Sequence, residues 1–275
     1  MKILVTGGAG FIGTHLVNKL REKNEVTVID RKTGVDILTS DLSSYFDVDY
    51  VFHLAANSDI SIGNSHLELH DTFLTTKRVL EWCIARNVKG IVFASSSAVY
   101  GSSYLKVSES FGPCLPLSYY GAAKLASEAF IASYCRLSGM KSWILRFPNV
   151  VGSYATHGVI YDLLRKDKNP LKVLGRGNQL KPYMHVSELI DAILYVWKNT
   201  DALCNVYNIG PIGRTYVREI AEMISDNIEY SGNTWEGDCE QYEFDISKLT
   251  TMGWSPRMTS TEAVKLAIEE CKKEL

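Results

Sequence analysis

The stretch TGGAGFIG, residues 6–13, follows a short apolar run and opens a segment whose apolar residues have helical spacing. An apolar run that ends in glycines is typical of a buried strand, so the stretch predicts a turn from a strand into a helix. In such a turn Gly7 allows the tight bend, Gly10 lets a pyrophosphate approach the backbone, and Gly13 lets helix and strand pack closely. The helix N-terminus offers N–H donors and the positive end of a dipole. We therefore expect a dinucleotide-binding turn at this point of the chain.

An acidic residue stands where this type of turn requires one. Asp30 ends a second predicted strand, Glu25–Asp30, and comes 17 residues after Gly13. A carboxylate there accepts hydrogen bonds from the adenosine ribose and repels a 2′-phosphate, which favours NAD over NADP. Arg31 and Lys32 come next and would weaken that preference. The cofactor that we predict is NAD.

A second carboxylate follows closely. Asp36 stands six residues after Asp30 and is followed by Ile37. This spacing leaves almost no room for a helix before the third strand. Two interpretations stay open: the Asp36 carboxylate reaches the adenine amine, or it is an ordinary loop side chain.

Further strands alternate with helical segments, which predicts an α/β fold with a doubly wound parallel sheet of the Rossmann type. We assign the NAD-binding core to residues 1–150 plus 183–209. Glycines cluster after Asn149, so a smaller C-terminal substrate lobe is assigned to residues 151–182 plus 210–275. The further predicted strands are Val48–Leu54, Gly90–Ala94, Trp143–Phe147 and Asn205–Ile209, and the predicted helices cover residues 67–86, 119–137, 159–165 and 186–198.

Composition narrows the class of protein. The chain has 275 residues, 46% of them hydrophobic, and a net charge of −2, without the basic excess of a nucleic-acid-binding protein. No apolar run approaches the roughly 20 residues of a membrane span, and the first residues do not resemble a signal peptide. The six cysteines are far apart, as expected of free thiols rather than of a disulfide framework or a metal site. We expect a cytoplasmic protein with no nucleic-acid, membrane or metal partner.

A phenol and an ammonium are predicted to share one helix face, because Tyr120 and Lys124 stand four residues apart in a predicted helix. An ordinary tyrosine has a pKa of about 10 and is a poor base at neutral pH. A neighbouring ammonium and a bound nicotinamide cation would both lower the pKa of the phenol, so that Tyr120 could exchange protons near neutrality. Directly after a predicted strand, SSSAVYG (95–101) places hydroxyls at the carboxyl edge of the sheet, where ligands bind in such folds.

With these motifs the chain resembles the extended short-chain dehydrogenase/reductase family, the NAD-dependent epimerases and dehydratases. Within that family it is most similar to the nucleotide-sugar 4-epimerases of the UDP-glucose type. The matching segments occur in the family's order and extend over nearly the whole chain. They are TGGAGFIG (6–13), VID (28–30), HLAA (53–56), SSSAVYG (95–101), YGAAK (120–124), LRFPNVVG (145–152), YMHVSELIDA (183–192), YNIG (207–210) and DISKLTTMGWSP (245–256).

The resemblance implies a role for each matching residue. Ser96 would hydrogen-bond the reacting sugar oxygen, Tyr120 would be the acid and base, and Lys124 would hold the nicotinamide ribose. In such an epimerase the tyrosine takes the proton of the sugar 4-hydroxyl while C4 gives a hydride to NAD⁺, and the hydride returns to the other face. The implied catalytic residues are Ser96, Tyr120 and Lys124; the cofactor-binding residues are Gly7, Gly10, Phe11, Ile12, Gly13, Asp30, Asp36, Ile37, Leu54, Ala55, Ala56, Tyr120 and Lys124; the substrate-binding residues are Ser96, Ser97, Tyr120, Asn149 and Lys181.

Two of these residues belong to the part of the chain expected to meet the nucleotide sugar. Asn149 matches a family asparagine that contacts the diphosphate of the substrate. Lys181 stands where many members carry a basic residue that meets the nucleotide or the phosphates. For Lys181 a solvated surface charge is the alternative.

The two residues after Ser96 narrow the reaction. In the family's dehydratases they resemble Asp-Glu, in its decarboxylases the second is Glu, and in its GDP-fucose synthases the second is Cys. In this chain they are Ser97 and Ala98, and a methyl group cannot move protons. The chemistry left open is 4-epimerisation, or simple ketone reduction and alcohol oxidation. Ala98 and the stretch THGVIYD (156–162) resemble the family's epimerases, which favours a 4-epimerase with NAD as cofactor. The alternatives are a nucleotide-sugar 4-ketoreductase or dehydrogenase that uses free NAD(P)H, a dehydratase, and a non-catalytic cofactor-binding protein.

Two features of the sequence depart from the pattern of the family. Many epimerases carry Arg-x-Gly-Asp in the C-terminal lobe, whereas this chain has WEGD at 235–238, and Thr72 stands where an asparagine is common.

The resemblance to the family also implies a homodimer that packs helices of both subunits together, including the helix with Tyr120. The apolar residues of that helix that allow such an interface are Leu125, Ala126, Ala129, Phe130 and Ile131.

Overall fold

The computed structural model describes residues 1–57, 64–102, 106–201, 203–232 and 241–275. The chain divides into two units. The sheet unit comprises Met1–Val99, Ser118–Arg146 and Ile193–Tyr207. The C-terminal unit comprises Tyr100–Leu117, Phe147–Ala192 and Asn208–Leu275. The WEGD segment, 235–238, lies outside the described residues.

Strands and helices are numbered in chain order. The strands are β1 (Lys2–Thr6), β2 (Glu25–Ile29), β3 (Tyr50–His53), β4 (Gly90–Ala94), β5 (Lys106–Val107), β6 (Lys141–Arg146), β7 (Asn149–Val151), β8 (Leu171–Val173), β9 (Leu180–Lys181), β10 (Tyr183–His185), β11 (Asn205–Asn208), β12 (Thr215–Tyr216), β13 (Ile228–Tyr230) and β14 (Glu243–Phe244). The helices are α1 (Phe11–Arg21), α2 (Ser65–Glu68), α3 (Thr75–Ala85), α4 (Tyr119–Ser138), α5 (Val159–Arg165), α6 (Val186–Asn199), α7 (Val217–Glu222), α8 (Ser247–Thr251) and α9 (Ser260–Lys272).

A six-stranded sheet with the order β11-β6-β4-β3-β1-β2 forms the centre of the sheet unit. Its pairs β1–β2, β1–β3, β3–β4 and β4–β6 are parallel. The chain runs from β1 outward to β2 and then crosses to β3 on the other side of β1, which creates a switch point at the carboxyl ends of β1 and β3. The predicted α/β fold with a parallel Rossmann-type sheet is confirmed.

The core of the sheet unit is made by apolar residues of the strands and of the helices packed on them. Fully buried examples are Leu80 of α3, Ile91 of β4 and Ile131 of α4. Burying such a side chain contributes about 1.5–3 kcal/mol to the free energy of unfolding. Two cysteines, Cys83 and Cys135, belong to the same core. Burial raises the pKa of the Cys135 thiol to about 11, so this side chain behaves as a small apolar group.

The predicted helix 67–86 is interrupted. Residues Leu69–Leu74, between α2 and α3, form a π-helical segment. The Thr75 hydroxyl donates to the carbonyl oxygen of His70, five residues back, at 3.2 Å. Segments of this kind are often found at functional sites. Periodicity alone does not predict the extra residue in the turn, because the apolar spacing changes little.

The C-terminal unit has a core of its own. It is built from α5, α7 and α9 and from the strands β7, β8 and β10. The short strands of this unit pair as β7–β10, β8–β13, β9–β12 and β5–β14. Buried residues of this core include Leu171, Ile220 and Val264. Among the residues that the structure describes, none of the helices combines the length and apolarity needed to cross a lipid bilayer.

His53, at the end of β3, is fully buried. Its Nδ1 atom lies 2.6 Å from the Thr6 hydroxyl and its Nε2 atom 3.0 Å from the Thr76 hydroxyl. Burial lowers the pKa of His53 to about 3, and the positive charge of Lys124 acts in the same direction. The imidazole is therefore neutral in the folded protein and joins β1, β3 and α3 through hydrogen bonds.

We expect the free energy of unfolding to fall as the pH is lowered from about 6.5 towards 3. The unfolded chain binds a proton at His53 below the ordinary histidine pKa, whereas the folded chain does so only near 3. This group contributes up to about 1.4 kcal/mol per pH unit across that window. Urea unfolding at a series of pH values measures the slope. His53→Gln should flatten it relative to the wild type, and the same replacement at exposed His157 should not; equal slopes for wild type and His53→Gln would contradict the expectation.

Candidate active site

The glycine-rich turn joins β1 to α1 as predicted, and its backbone is closely packed. Gly7 has a φ of +72°, and a Cβ atom there would lie 2.7 Å from the backbone nitrogen of Ala55. A Cβ atom at Gly13 would lie 2.1 Å from the carbonyl oxygen of Gly7. At Gly10, the N-cap residue of α1, the nearest atom would be 3.2 Å away. Gly10 thus presents bare backbone at the helix N-terminus, which fits the phosphate groups of a dinucleotide.

A cleft begins at this turn and extends along the carboxyl ends of β1, β2 and β3. Six of the predicted cofactor residues line it together: Gly7, Asp30, Asp36, Ile37, Ala55 and Ala56. The other predicted cofactor residues are not among those that line it. Phe11, Ile12 and Gly13 lie in the first turn of α1 after Gly10, Leu54 directly follows β3, and Tyr120 and Lys124 lie in α4. The cleft is also lined by residues that were not predicted to belong to the site, namely Ile29, Val35, Asp71 and Thr75, and by Arg31. Asp71 and Thr75 come from a distant part of the chain and no motif marks them.

Asp30 stands at the end of β2 with its carboxylate held by two backbone N–H groups. Ala9 N–H donates to one oxygen at 3.0 Å and Lys32 N–H to the other at 2.8 Å. A carboxylate has about four acceptor positions, so two remain for further donors such as the hydroxyls of a ribose. Residues Arg31–Thr33 form a 3₁₀ turn, and between β2 and β3, a fully described stretch, the chain contains no α-helix.

Ser96, Tyr120 and Lys124 all belong to the sheet unit, near the carboxyl end of β4. Ser96 follows β4, and Tyr120 and Lys124 lie in the first turns of α4. The Ser96 hydroxyl is a hydrogen-bond partner of the Tyr120 phenol and lowers its pKa. Burial is the larger effect and raises the pKa of Tyr120 to about 12. In the chain alone the phenol is therefore protonated at neutral pH, and its use as a base requires further positive charge.

Lys124 is almost completely buried. Its Nζ atom donates to the carbonyl oxygen of Ala94 at 2.7 Å and lies 4.7 Å from the ring centre of Phe93 and 5.8 Å from that of Tyr120. Burial lowers the pKa of Lys124 to about 8, while the carboxylates of Glu68 and Glu128 act in the opposite direction. At neutral pH most of the lysine is still charged, so a cation lies beside the phenol ring.

A buried ion pair that no sequence motif indicates supports this arrangement. Glu128, one turn after Lys124 in α4, accepts hydrogen bonds from Arg146 of β6, including one from Nε at 2.9 Å. The Ser95 hydroxyl, next to Ser96, donates to the same carboxylate. Both charged side chains are more than nine-tenths buried. Removing one partner of such a pair leaves an uncompensated charge, so the network fixes α4 against β4 and β6.

Thr72, where relatives commonly carry asparagine, is fully buried in the π-helical segment. Its hydroxyl donates to Glu68 at 3.0 Å, and the Asn57 side-chain amide donates to the other Glu68 oxygen at 2.8 Å. Burial raises the pKa of Glu68 and these hydrogen bonds lower it. Thr72 therefore positions an acidic side chain rather than presenting an amide.

The remaining residues that were predicted to bind the substrate are less buried. Ser97 begins a 3₁₀ turn after Ser96. Asn149 and Lys181 belong to the C-terminal unit, Asn149 in β7 and Lys181 in β9. The Asn149 side-chain amide donates to the Tyr242 hydroxyl at 3.3 Å. Lys181 is half-buried and pairs with Thr215 across β9 and β12.

The glycine geometry predicts different effects at two positions of the turn. Gly13→Ala should lower the free energy of unfolding by about 1–3 kcal/mol, because the new methyl group overlaps the Gly7 backbone. Gly10→Ala should change stability far less, since its Cβ atom meets one oxygen at 3.2 Å. Urea unfolding of both variants without added nucleotide measures the difference. Equal losses in the two variants would show that close packing at Gly13 does not fix the turn.

Comparison with known proteins places this geometry in a family. The model of the NAD dependent epimerase/dehydratase family matches residues 3–210. A Methanocaldococcus jannaschii protein provisionally named a UDP-glucose 4-epimerase is 34% identical, over 98% of each chain.

Comparison with solved structures points to the same family. The crystal structure of a UDP-galactose 4-epimerase has a TM-score of 0.88 and 36% identity, covering 100% of both chains. The UDP-glucuronic acid 4-epimerase from Bacillus cereus, in complex with UDP-glucuronic acid and NAD, has a TM-score of 0.90 and 28% identity, again over 100% of both chains. The predicted family is confirmed: the chain belongs to the NAD-dependent epimerase/dehydratase family.

Proposed function

We propose that this protein is an NAD-dependent nucleotide-sugar 4-epimerase. The observation that carries the proposal is the set Ser96, Tyr120 and Lys124, which lies in the same unit as the dinucleotide-type turn. The neighbouring positions Ser97 and Ala98 add no acid or base of the kind that water elimination requires. The chemistry left to these residues is reversible exchange of a proton at a hydroxyl, and the relatives named above are epimerases.

Tyr120 is proposed as the acid and base, which takes the proton of the sugar 4-hydroxyl and later returns it. When bound, NAD⁺ supplies the chemistry that the side chains lack, by accepting a hydride from C4 and giving it back. Ser96 hydrogen-bonds the phenol and thereby stabilises its ionised form. The Lys124 ammonium, 5.8 Å from the Tyr120 ring centre, favours the phenolate in the same way. The Ser96 hydrogen bond thus opposes the burial that raises the pKa of Tyr120.

The cofactor-binding residues are proposed to divide by the part of NAD that they meet. The backbone at Gly7, Gly10 and Gly13, with the first turn of α1, suits the pyrophosphate. Asp30 has acceptor positions left for the adenosine ribose. Lys124 is proposed to hold the nicotinamide ribose. The two alanines after β3, Ala55 and Ala56, line the cleft without polar side chains and allow a flat ligand to lie against the backbone.

The substrate is proposed to be a UDP-sugar, as in the relatives with solved structures. Asn149 and Lys181 are proposed to contact its nucleotide or phosphates. An amide and an ammonium supply the donors that a diphosphate accepts.

The enzyme is further proposed to act in the cytoplasm as a homodimer. An aromatic group on the sheet unit supports the dimer: Phe130 lies 4.8 Å from Phe73 and 6.4 Å from Tyr134, measured between ring centres. Phe130 is 38% exposed, and Ala129 beside it is exposed as well. Ile131, which was predicted to share that face, is fully buried in the core and is not available for an interface.

Replacement of Tyr120 by phenylalanine tests the proposed activity. We expect Tyr120→Phe to lose about 10²–10⁴-fold in the rate of conversion at sugar C4 while keeping its bound NAD, because only proton exchange is removed. Incubation with a panel of UDP-hexoses and no added cofactor measures the rate, and denaturation followed by chromatography measures the NAD. Tyr119→Phe, on the exposed neighbour in α4, is the matched control and should resemble the wild type. A wild-type protein that is inert until NAD(P)H and a 4-keto sugar are supplied would instead indicate a ketoreductase.

If the proposed dimer forms through α4, a charged side chain placed on the exposed face of that helix should dissociate it. Phe130→Glu should shift the protein from dimer to monomer in light scattering after size exclusion, because a buried carboxylate destabilises an apolar interface. Leu203→Glu, at another exposed apolar position of the sheet unit, should leave the dimer intact. A wild-type protein that runs as a monomer would overturn the proposal.

A further inference from the structure

Arg31 stands beside Asp30 in the cleft, at the position where a basic side chain would favour a 2′-phosphate. Its guanidinium is already engaged with two carboxylates. The two terminal nitrogens of Arg31 donate to the two oxygens of Asp71, each at 2.8 Å. The Nε atom of Arg31 donates to Asp36 at 2.7 Å. Three of its five N–H donors are therefore used within the protein.

For binding a phosphate, the geometry of the contact between Arg31 and Asp71 matters more than the number of N–H donors that are used. Two parallel N–H bonds to two oxygens are the arrangement by which arginine binds a phosphate. Asp71 occupies that edge of the guanidinium. The Asp71 side chain is 16% exposed, which protects the pair from solvent on one side, whereas Arg31 is 53% exposed. These hydrogen bonds lower the pKa of Asp71 to about 2, so its charge is present at every physiological pH.

Asp71 is held from two sides. It lies in the π-helical segment Leu69–Leu74, and the Nδ1 atom of His70 lies 2.8 Å from the Asp71 oxygen that also receives Arg31. The carboxylate is thus fixed before any ligand enters. Asp36 is likewise fixed, since it also accepts the backbone N–H of Leu38 at 2.8 Å.

The charges around this end of the cleft sum to a negative value. Three carboxylates, Asp30, Asp36 and Asp71, line it together with one cation, Arg31. Lys32 follows Arg31 in the chain, and its backbone N–H donates to Asp30. The Lys32 ammonium lies 3.3 Å from the carbonyl oxygen of Ala9. A 2′-phosphate, with its charge of about −2, would meet net repulsion at this end of the cleft.

We propose that Asp71, through its paired hydrogen bonds with Arg31, is a specificity-determining residue that restricts the cleft to NAD. It keeps the guanidinium from a 2′-phosphate and so reverses the effect that Arg31 would otherwise have. The inference rests on the proposed function, because it takes a nicotinamide dinucleotide as the ligand of the cleft. Loss of the Asp71 charge frees the terminal nitrogens of Arg31, and the 2′-phosphate of NADP becomes their partner.

A competition experiment measures this preference without reference to epimerisation. The full-length protein is first freed of co-purified dinucleotide and then equilibrated with excess equimolar NAD⁺ and NADP⁺. Unbound nucleotide is removed by gel filtration, the protein is denatured, and the released dinucleotides are quantified. We expect Asp71→Asn to lower the bound NAD:NADP ratio at least about tenfold, the effect of one charge-assisted hydrogen bond. Asp36→Asn, which frees only the Nε contact, should lower the ratio less and in the same direction. The Asp36→Asn variant keeps the test decisive if Asp71→Asn does not fold.

Two further variants separate Arg31 from general electrostatics. In Arg31→Ala/Asp71→Asn the ratio should return towards the wild-type value, since the proposed phosphate partner is gone. Glu81→Gln removes an equivalent charge from the exposed surface of α3 and should leave the ratio unchanged. An unaltered ratio in Asp71→Asn and Asp36→Asn, or a decrease that persists in the double variant, overturns the inference while NAD binding by the wild type still supports the proposed function. A wild-type protein that retains neither dinucleotide overturns the proposed function itself.

Discussion

The close approach of α1 to the end of β1 is the constraint on which the rest of the sheet unit depends. At Gly13 a single methyl group would come within 2.1 Å of the Gly7 carbonyl, and at Gly7 it would come within 2.7 Å of the Ala55 backbone. Three backbone segments therefore meet where no side chain fits. This contact directs the N-terminus of α1 to the carboxyl edge of the sheet and brings the ends of β1 and β3 together. Gly7 and Ala55, which meet at this contact, both line the cleft.

Several charged side chains described in the sheet unit are buried, and each has hydrogen-bond partners within the protein. Glu128 and Arg146 neutralise one another between α4 and β6. Burial lowers the pKa of Lys124, and its ammonium group donates a hydrogen bond to the Ala94 carbonyl oxygen. Buried charges of this kind add little net stability, yet breaking one pair costs about 3–5 kcal/mol. Their effect is to fix where the phenol of Tyr120 lies relative to the sheet, which is what a proton-exchanging side chain requires.

The chain's own residues hold Tyr120 in its protonated form. Burial raises its pKa, and the nearby Glu68 carboxylate acts in the same direction. The Ser96 hydrogen bond opposes them. A phenol that is neutral in the chain alone and sensitive to added positive charge suits a reaction in which proton and hydride move together, because the phenol then ionises most readily when the oxidised cofactor is beside it.

Much of this arrangement follows from local sequence. The strand that ends in TGGAGFIG, the acidic end of β2 and the helix beginning at Tyr119 are each specified by neighbouring residues, because glycine conformations, apolar periodicity and helix capping act over a few positions. The parallel pairing of the strands also follows, since strands that alternate with helices are joined by crossover connections. Their order in the sheet is known only from the structure. The π-helical segment, the Glu128–Arg146 pair and the placement of Asp71 against Arg31 do not follow. The two ion pairs join residues 18 and 40 positions apart, and only the packing of helices on the sheet decides which charged groups meet.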